Sequence, residues 1–265
     1  MFQLSVCAET VFCELPFVER ARRIAAEGFC VDLWRWVNCD VDALAAESSV
    51  RVSSFSGYVA GSLVHPDGLP KFLEGIEQTL AVARKLDCHD LVLSTGEIDH
   101  QGRVVHAVAA NPITRWITAY KGLSQIAEFA EKHNVTYHLE PLNTKLDHPG
   151  YPLERVEDAV CLIDEVGSPR IRLLLDVYHV QIQEGNVTQV IRDCRGRIGY
   201  VHVADVPGRH EPGTGEINYP HVARSLCDVG YRGTVAMEAY PEGNPQCALG
   251  RFREVFESVG QAPRA

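Results

Sequence analysis

Residues 171–176 read Ile-Arg-Leu-Leu-Leu-Asp, a short apolar run that stops on a carboxylate. The pattern recurs three times. Val-Thr-Tyr-His-Leu at 135–139 precedes Glu140, Ile-Gly-Tyr-Val at 198–201 precedes His202, and Gly-Thr-Val-Ala-Met at 233–237 precedes Glu238. Apolar runs this short, rich in β-branched and aromatic residues, read as buried strands of a parallel sheet. The four terminal residues are 36, 26 and 36 positions apart, and one strand–helix unit of a closed barrel takes roughly 30 residues. The spacing therefore puts one of them at the carboxyl end of each strand from the fifth to the eighth, where a barrel gathers its chemistry.

Outward from these runs, further strand patterns lie at 3–6, 30–33, 50–55 and 90–94, and the last four strands extend over 135–139, 171–175, 198–203 and 234–237. Helical stripes separate them. Leu69, Phe72, Leu73, Ile76, Leu80, Ala83 and Leu86 recur at helical period, as do Trp116, Tyr120, Leu123, Ala127 and Ala130, and Val156, Ala159, Val160, Ile163 and Val166. Gly28, Gly167 and Gly230 stand where helices end before strands. Eight alternating units predict a single (β/α)8 barrel domain over residues 1–265. The rival, an open doubly wound sheet, lacks the Gly-rich phosphate loop after its first strand. Long irregular stretches at 56–68, 96–111, 143–153 and 205–218 each follow a strand end, so they are expected on the barrel mouth. A frayed tail is expected at 261–265.

A formal charge of −10 disfavours nucleic acid, whose phosphates need a basic surface. No apolar stretch approaches a membrane span. Nine scattered cysteines without metal-type spacing read as reduced thiols of a cytoplasmic protein, and no leader pattern is visible at the start.

Glu140, Asp176, His202 and Glu238 offer three carboxylates and an imidazole, a donor set for one oxygen-preferring divalent cation, Mn²⁺ first with Mg²⁺ or Co²⁺ as alternatives. A carboxylate beside a buried strand needs a cation or a salt bridge. Asp176 also suits a helix N-cap, and a lone strand His is commonly a satisfied core residue. As a ligand, His202 would need an acceptor on its second ring nitrogen, and Asp205 is the expected one. His179, three residues past Asp176, faces the same cavity or the surface. Arg209 suits a substrate carboxylate or hydroxyl pair, or plain solvent. Trp34, Trp36, Phe55 and Tyr58 read as an apolar wall of the site or as barrel packing.

Five segments carry a resemblance: Glu140-Pro-Leu-Asn143, Asp147-His-Pro-Gly-Tyr151, Leu175-Asp-Val-Tyr-His179, His202-Val-Ala-Asp205 and Glu211-Pro-Gly-Thr-Gly-Glu-Ile-Asn-Tyr219. On them the chain resembles the hydroxypyruvate isomerase family, within the xylose isomerase-like barrels that include ketose 3-epimerases and endonuclease IV. The resemblance implies one divalent metal on Glu140, Asp176, His202 and Glu238, with Glu140 and Glu238 also the acid/base pair. It implies substrate contacts at His179 and Arg209, and Asn143 in the first matching segment joins them as a substrate-binding candidate. It further implies a small hydroxy-carbonyl or sugar substrate and a homo-oligomer, dimer or tetramer. Three departures concern the substrate. The isomerases carry Gln at the position of His202, where the epimerases carry His. The loop after the third strand is Phe55-Ser-Gly-Tyr-Val-Ala-Gly-Ser62, not the isomerase type. The epimerases' substrate-binding Glu falls on Leu146.

The implied chemistry is proton transfer beside a carbonyl through an enediolate, with hydroxypyruvate to tartronate semialdehyde as the model conversion. Ketose 3-epimerisation and loss of water from a keto-sugar or keto-inositol share the same early step. An abasic-site nuclease would need His ligands after strands three and four, where the chain reads Ser-Ser-Phe-Ser56 and Leu-Ser-Thr-Gly96. A non-catalytic binding protein is the remaining class.

Overall fold

Eight parallel strands close into a barrel in sequence order, and the computed structural model describes residues 1–99, 102–105 and 109–258. The strands are β1 (Gln3–Cys7), β2 (Cys30–Asp32), β3 (Val52–Ser56), β4 (Asp90–Leu93), β5 (Thr136–Leu139), β6 (Ile171–Asp176), β7 (Ile198–Val203) and β8 (Thr234–Met237). β1 pairs with both β2 and β8, so no edge is left open. The outer helices are α1 (Phe17–Ala26), α2 (Val41–Ala45), α3 (Leu69–Lys85), α4 (Pro112–His133), α5 (Val156–Val166), α6 (Val177–Gln183), α7 (Val187–Asp193), α8 (Tyr219–Asp228) and α9 (Pro245–Ser258). The one-helix-per-strand expectation is refined in one place: α6 and α7 both lie between β6 and β7.

Local chemistry sets the helix limits. Asn111 caps α4 through Ile113 N–H, with Pro112 in the first turn. Gly167 closes α5 at φ +67°, a left-handed position where a side chain would be strained. The apolar stripe of α3 buries Phe72, Ile76, Leu80 and Ala83 against the barrel. Most of the core lies in this layer between strands and helices. Inside the barrel the apolar filling is small: Leu174, Tyr200 and Ala236, with Val92 against them. Barrels usually fill this space with branched apolar side chains; here Ser5, Ser53, Ser54, Asp32, His138 and His202 are also buried.

Two strand pairs carry a register shift. Between β2 and β3 the partners jump from Val31–Val52 to Asp32–Ser54, and between β6 and β7 from Leu173–Ile198 to Leu174–Tyr200. Ser53 and Gly199 are thus the extra residues of β-bulges, which re-aim the side chains beyond them. The expected tail at 261–265, and part of the 96–111 loop, lie outside the described residues. All nine cysteines are unpaired, and no helix among the described residues is long and apolar enough to cross a membrane.

Candidate metal centre

The strand ends of β5 to β8 deliver Glu140, Asp176, His202 and Glu238 to one point. One ligand atom from each lies within 4.8 Å of all the others, and all four residues are buried. Asp176 and His202 are register partners on adjacent strands. Asp176 serves two purposes: its Oδ1 accepts from Tyr178 N–H at 2.8 Å and His179 N–H at 3.3 Å, capping α6. Its Oδ2 stays toward the centre, 3.5 Å from His179 Nε2. The cap reading and the ligand reading of Asp176 are therefore compatible.

His202 lies across the barrel from β2. Its Nε2 is 3.0 Å from Asp32 Oδ2. Its Nδ1 is 3.0 Å from Glu238 Oε2 and 3.6 Å from Glu140 Oε1, yet it makes no hydrogen bond of acceptable geometry. The acceptor behind His202 is Asp32 and not the expected Asp205. Asp205 is consumed by its own loop, where Oδ1 accepts from Val206 and Ile217 N–H and Oδ2 from Gly213 N–H. Asp32 is anchored in turn: Ser54 Oγ donates to its Oδ1 at 3.0 Å, and Tyr200 Oη donates to its Oδ2 at 3.1 Å.

Glu238 has one oxygen held by two donors, while the other lies toward His202. Trp34 Nε1 donates to its Oε1 at 2.5 Å, and Arg209 Nη2 lies 3.0 Å from the same oxygen. Arg209 is stacked over the Tyr178 ring at 4.9 Å, and its buried Nε has no partner. His179 is buried in α6, not on a surface loop. Its Nδ1 accepts from Asn143 Nδ2 at 2.6 Å, which puts the ring proton on Nε2. Asn143 has no free polar atom, since Nδ2 also donates to Asp147 and Oδ1 accepts from Leu146 and Asp147 N–H. His148 packs its ring 5.2 Å from His179.

The aromatic residues divide. Trp34 reaches the centre, whereas Trp36 bonds Thr79, Phe55 is core, and Tyr58 stacks on Phe72 at 4.7 Å.

Burial pushes Glu140 up to about 7, against the opposing pull of His202. Burial would raise Glu238 too, but the Arg209 charge and the His202 contact outweigh it and hold that carboxyl low. Burial alone would lower His202, yet Asp32, Glu140 and Glu238 together raise it well above the usual imidazole range. His179 is pushed down by burial and then by Arg209, which favours the neutral ring.

A divalent cation fits this arrangement. Carboxylate oxygens about 2.0–2.2 Å from an ion span at most roughly 4.4 Å across it, and the four ligand atoms lie within 4.8 Å of one another, so an ion would need to draw them together by only a few tenths of an ångström. His202 Nδ1, 3.0 Å from Glu238 Oε2, would supply a nitrogen donor among hard oxygens once an ion takes the place of its proton. Among the described residues this is the one cluster of its kind. The ends of β3 and β4 bring Ser56 and Ser94, and no imidazole.

Known proteins share the sequence pattern and the fold. The chain is 30% identical over 251 residues to a 2-oxo-tetronate isomerase of Pectobacterium atrosepticum, covering 91% of this chain and 92% of that protein. It is 34% identical over 132 residues to the hydroxypyruvate isomerase of Escherichia coli, covering 50% and 51%. A Brucella melitensis structure described as an AP endonuclease of family 2 superposes with a TM-score of 0.86 at 30% identity, covering 95% of this chain and 98% of that one. Residues 14–257 match the model of one family, and with the closed barrel and the strand-end cluster this shows that the chain belongs to the xylose isomerase-like TIM barrel family.

Proposed function

We propose that the protein is a divalent-cation-dependent isomerase of small α-hydroxy carbonyl compounds, acting on hydroxypyruvate, a 2-oxo-tetronate or a related keto acid or keto sugar. The observation that carries this reading is the convergence of buried Glu140, Asp176, His202 and Glu238, with one ligand atom of each within 4.8 Å of the others. Names of relatives supply the substrate class. Glu140, Asp176, His202 and Glu238 would hold the ion, Mn²⁺ first, with Mg²⁺ or Co²⁺ as alternatives. A bound ion supplies Lewis-acid stabilisation of the negative charge that develops on the substrate oxygens when the α-proton leaves.

The chain's own groups do the rest. Glu238 has Oε1 fixed by Trp34 and Arg209, so its charge is maintained and its orientation set, as a general base requires. Glu140 lacks such donors and its higher pKa suits it to carry a proton. Together they take the α-proton and return it to the neighbouring carbon. Arg209 Nε–H and His179 Nε2–H are donors for substrate oxygens. Asn143 supports His179 by keeping its proton on Nε2.

A second reading, C3 epimerisation of a ketose, draws on His202, since the epimerases this chain resembles carry His there. The nuclease reading is disfavoured by the acidic charge and by the missing strand-end imidazoles. A cytoplasmic dimer or tetramer is part of the proposal, from the resemblance and the unpaired thiols.

The test is incubation of EDTA-treated and Mn²⁺-reconstituted protein with hydroxypyruvate, 2-oxo-tetronate, fructose, tagatose and a keto-inositol in D₂O, followed by NMR. Mn²⁺-dependent conversion of a keto acid with solvent deuterium entering carbon is the expected result. Conversion confined to ketoses would select the epimerase reading. Equal turnover after exhaustive chelation would overturn the proposal.

A further inference from the structure

A histidine ligand must present a lone pair, so its proton has to be kept on the other nitrogen. Here that demand meets an unusual barrel interior. Asp32 is 2% exposed and sits at the end of β2, a strand that contributes no ligand. Its carboxylate has three partners: His202 Nε2 at 3.0 Å, Tyr200 Oη at 3.1 Å and Ser54 Oγ at 3.0 Å. Tyr200 Oη is also 2.9 Å from Ser53 Oγ, which lies 2.6 Å from Ser5 Oγ. These residues form a buried hydroxyl chain whose far end is the Asp32 carboxylate. Both register shifts of the barrel fall on this array, one beside Asp32, Ser53 and Ser54, the other just before Tyr200 and His202. Bulges re-aim side chains next to functional sites.

We infer that Asp32 is the positioning residue of the centre: it takes the Nε2–H of His202 and so fixes Nδ1, not Nε2, as the ion-facing nitrogen. The inference rests on the cation reading of the site. An acid at this place does what a neutral acceptor cannot. It accepts the imidazole proton and both hydroxyl protons at once, and so selects one tautomer. An amide at position 32 would offer one acceptor oxygen and a donor nitrogen. That nitrogen could bond a bare Nε2 and move the ring proton to Nδ1, where it blocks the ion.

The experiment is calorimetric titration of Mn²⁺ into EDTA-stripped full-length wild-type protein and Asp32→Asn. It is paired with nitrogen NMR of the histidine rings in Zn²⁺-loaded wild type. The expected result is one wild-type site, a tenfold to hundredfold rise in Kd for Asp32→Asn, and a His202 signal with Nε2 protonated and Nδ1 shifted by the ion. If wild type binds Mn²⁺ but Asp32→Asn binds within twofold of it, or the ion sits on Nε2, the inference falls while the cation reading stands. If wild type itself fails to bind, both fall. The NMR arm needs no variant, so it decides the matter even where Asp32→Asn does not fold.

Discussion

A carboxylate–histidine pair stands at each end of the barrel interior, and Tyr200 lies between the two with its ring 5.5 Å from both imidazoles. At the mouth His202 Nε2 meets Asp32 at 3.0 Å; at the floor His138 Nε2 meets Asp90 at 2.7 Å. In both, Nδ1 is buried and without a hydrogen bond. The difference lies in what that nitrogen faces. Around His202 it is Glu140 and Glu238. Around His138 it is the bare α-carbon of Gly199, where an added Cβ would come within 2.5 Å of Nδ1. Pairing with a carboxylate thus does not by itself mark an imidazole as a ligand candidate; the groups opposite its Nδ1 do. The floor also has an open cavity of about 410 Å³ beside His138, Asp90 and Arg172, but conserved chemistry in this fold belongs to the strands' carboxyl ends.

The largest effect that separates the two ends should be on turnover. Glu140→Gln and Glu238→Gln at the mouth should each lower kcat by about 10²–10⁴-fold, whereas Asp90→Asn at the floor should leave it within about twofold. Steady-state rates on whichever keto compound the protein converts, with circular dichroism to confirm folding, make the comparison. A floor variant as damaging as a mouth variant would erase the distinction.

Next in size is stability. Gly199→Ala should cost about 1–3 kcal/mol by overpacking against His138 and the Arg172 Cβ, which lie 2.5 and 2.6 Å from the added atom. Mn²⁺ affinity should be retained, and urea unfolding with a parallel metal titration reads both.

The smallest test stays at the mouth. Glu9, in the loop after β1, accepts from Trp34 N–H at 3.0 Å, and burial pushes its carboxyl up to about 7. Its folded pKa exceeds its unfolded one, so the folded state holds the proton longer. Stability should fall as pH rises from about 4.5 to 7. Glu9→Gln should remove about 1 kcal/mol of that decline, after allowance for partial exposure. Parallel slopes for wild type and variant in chelator-treated samples would contradict it.

Much of this was legible in the chain. The eight strands, the closed barrel and the four converging side chains follow from runs that end on a ligand type at barrel spacing. Asp32 ends a strand in the same way, in Cys-Val-Asp at 30–32. The run is too short to stand out, and its partner is 170 residues away. Asp205 was the natural expectation because it lies three residues from His202, but sequence nearness does not say which way a side chain turns. The tethering of Glu238 by Trp34 joins β2 to β8 over 204 positions and has no local signal. The bulges at Ser53 and Gly199 were equally silent, since a one-residue slip depends on both strands of a pair.

Arg209 adopts φ +55°, a left-handed backbone that costs a non-glycine residue about 1–2 kcal/mol. Glycine would relieve that cost but remove the guanidinium from Glu238 and Tyr178. On the proposed function, selection for robustness and selection for catalysis would pull in opposite directions at this position. A library screened only for heat resistance should drift toward glycine here and go silent, so directed evolution of this barrel needs an activity gate from its first round.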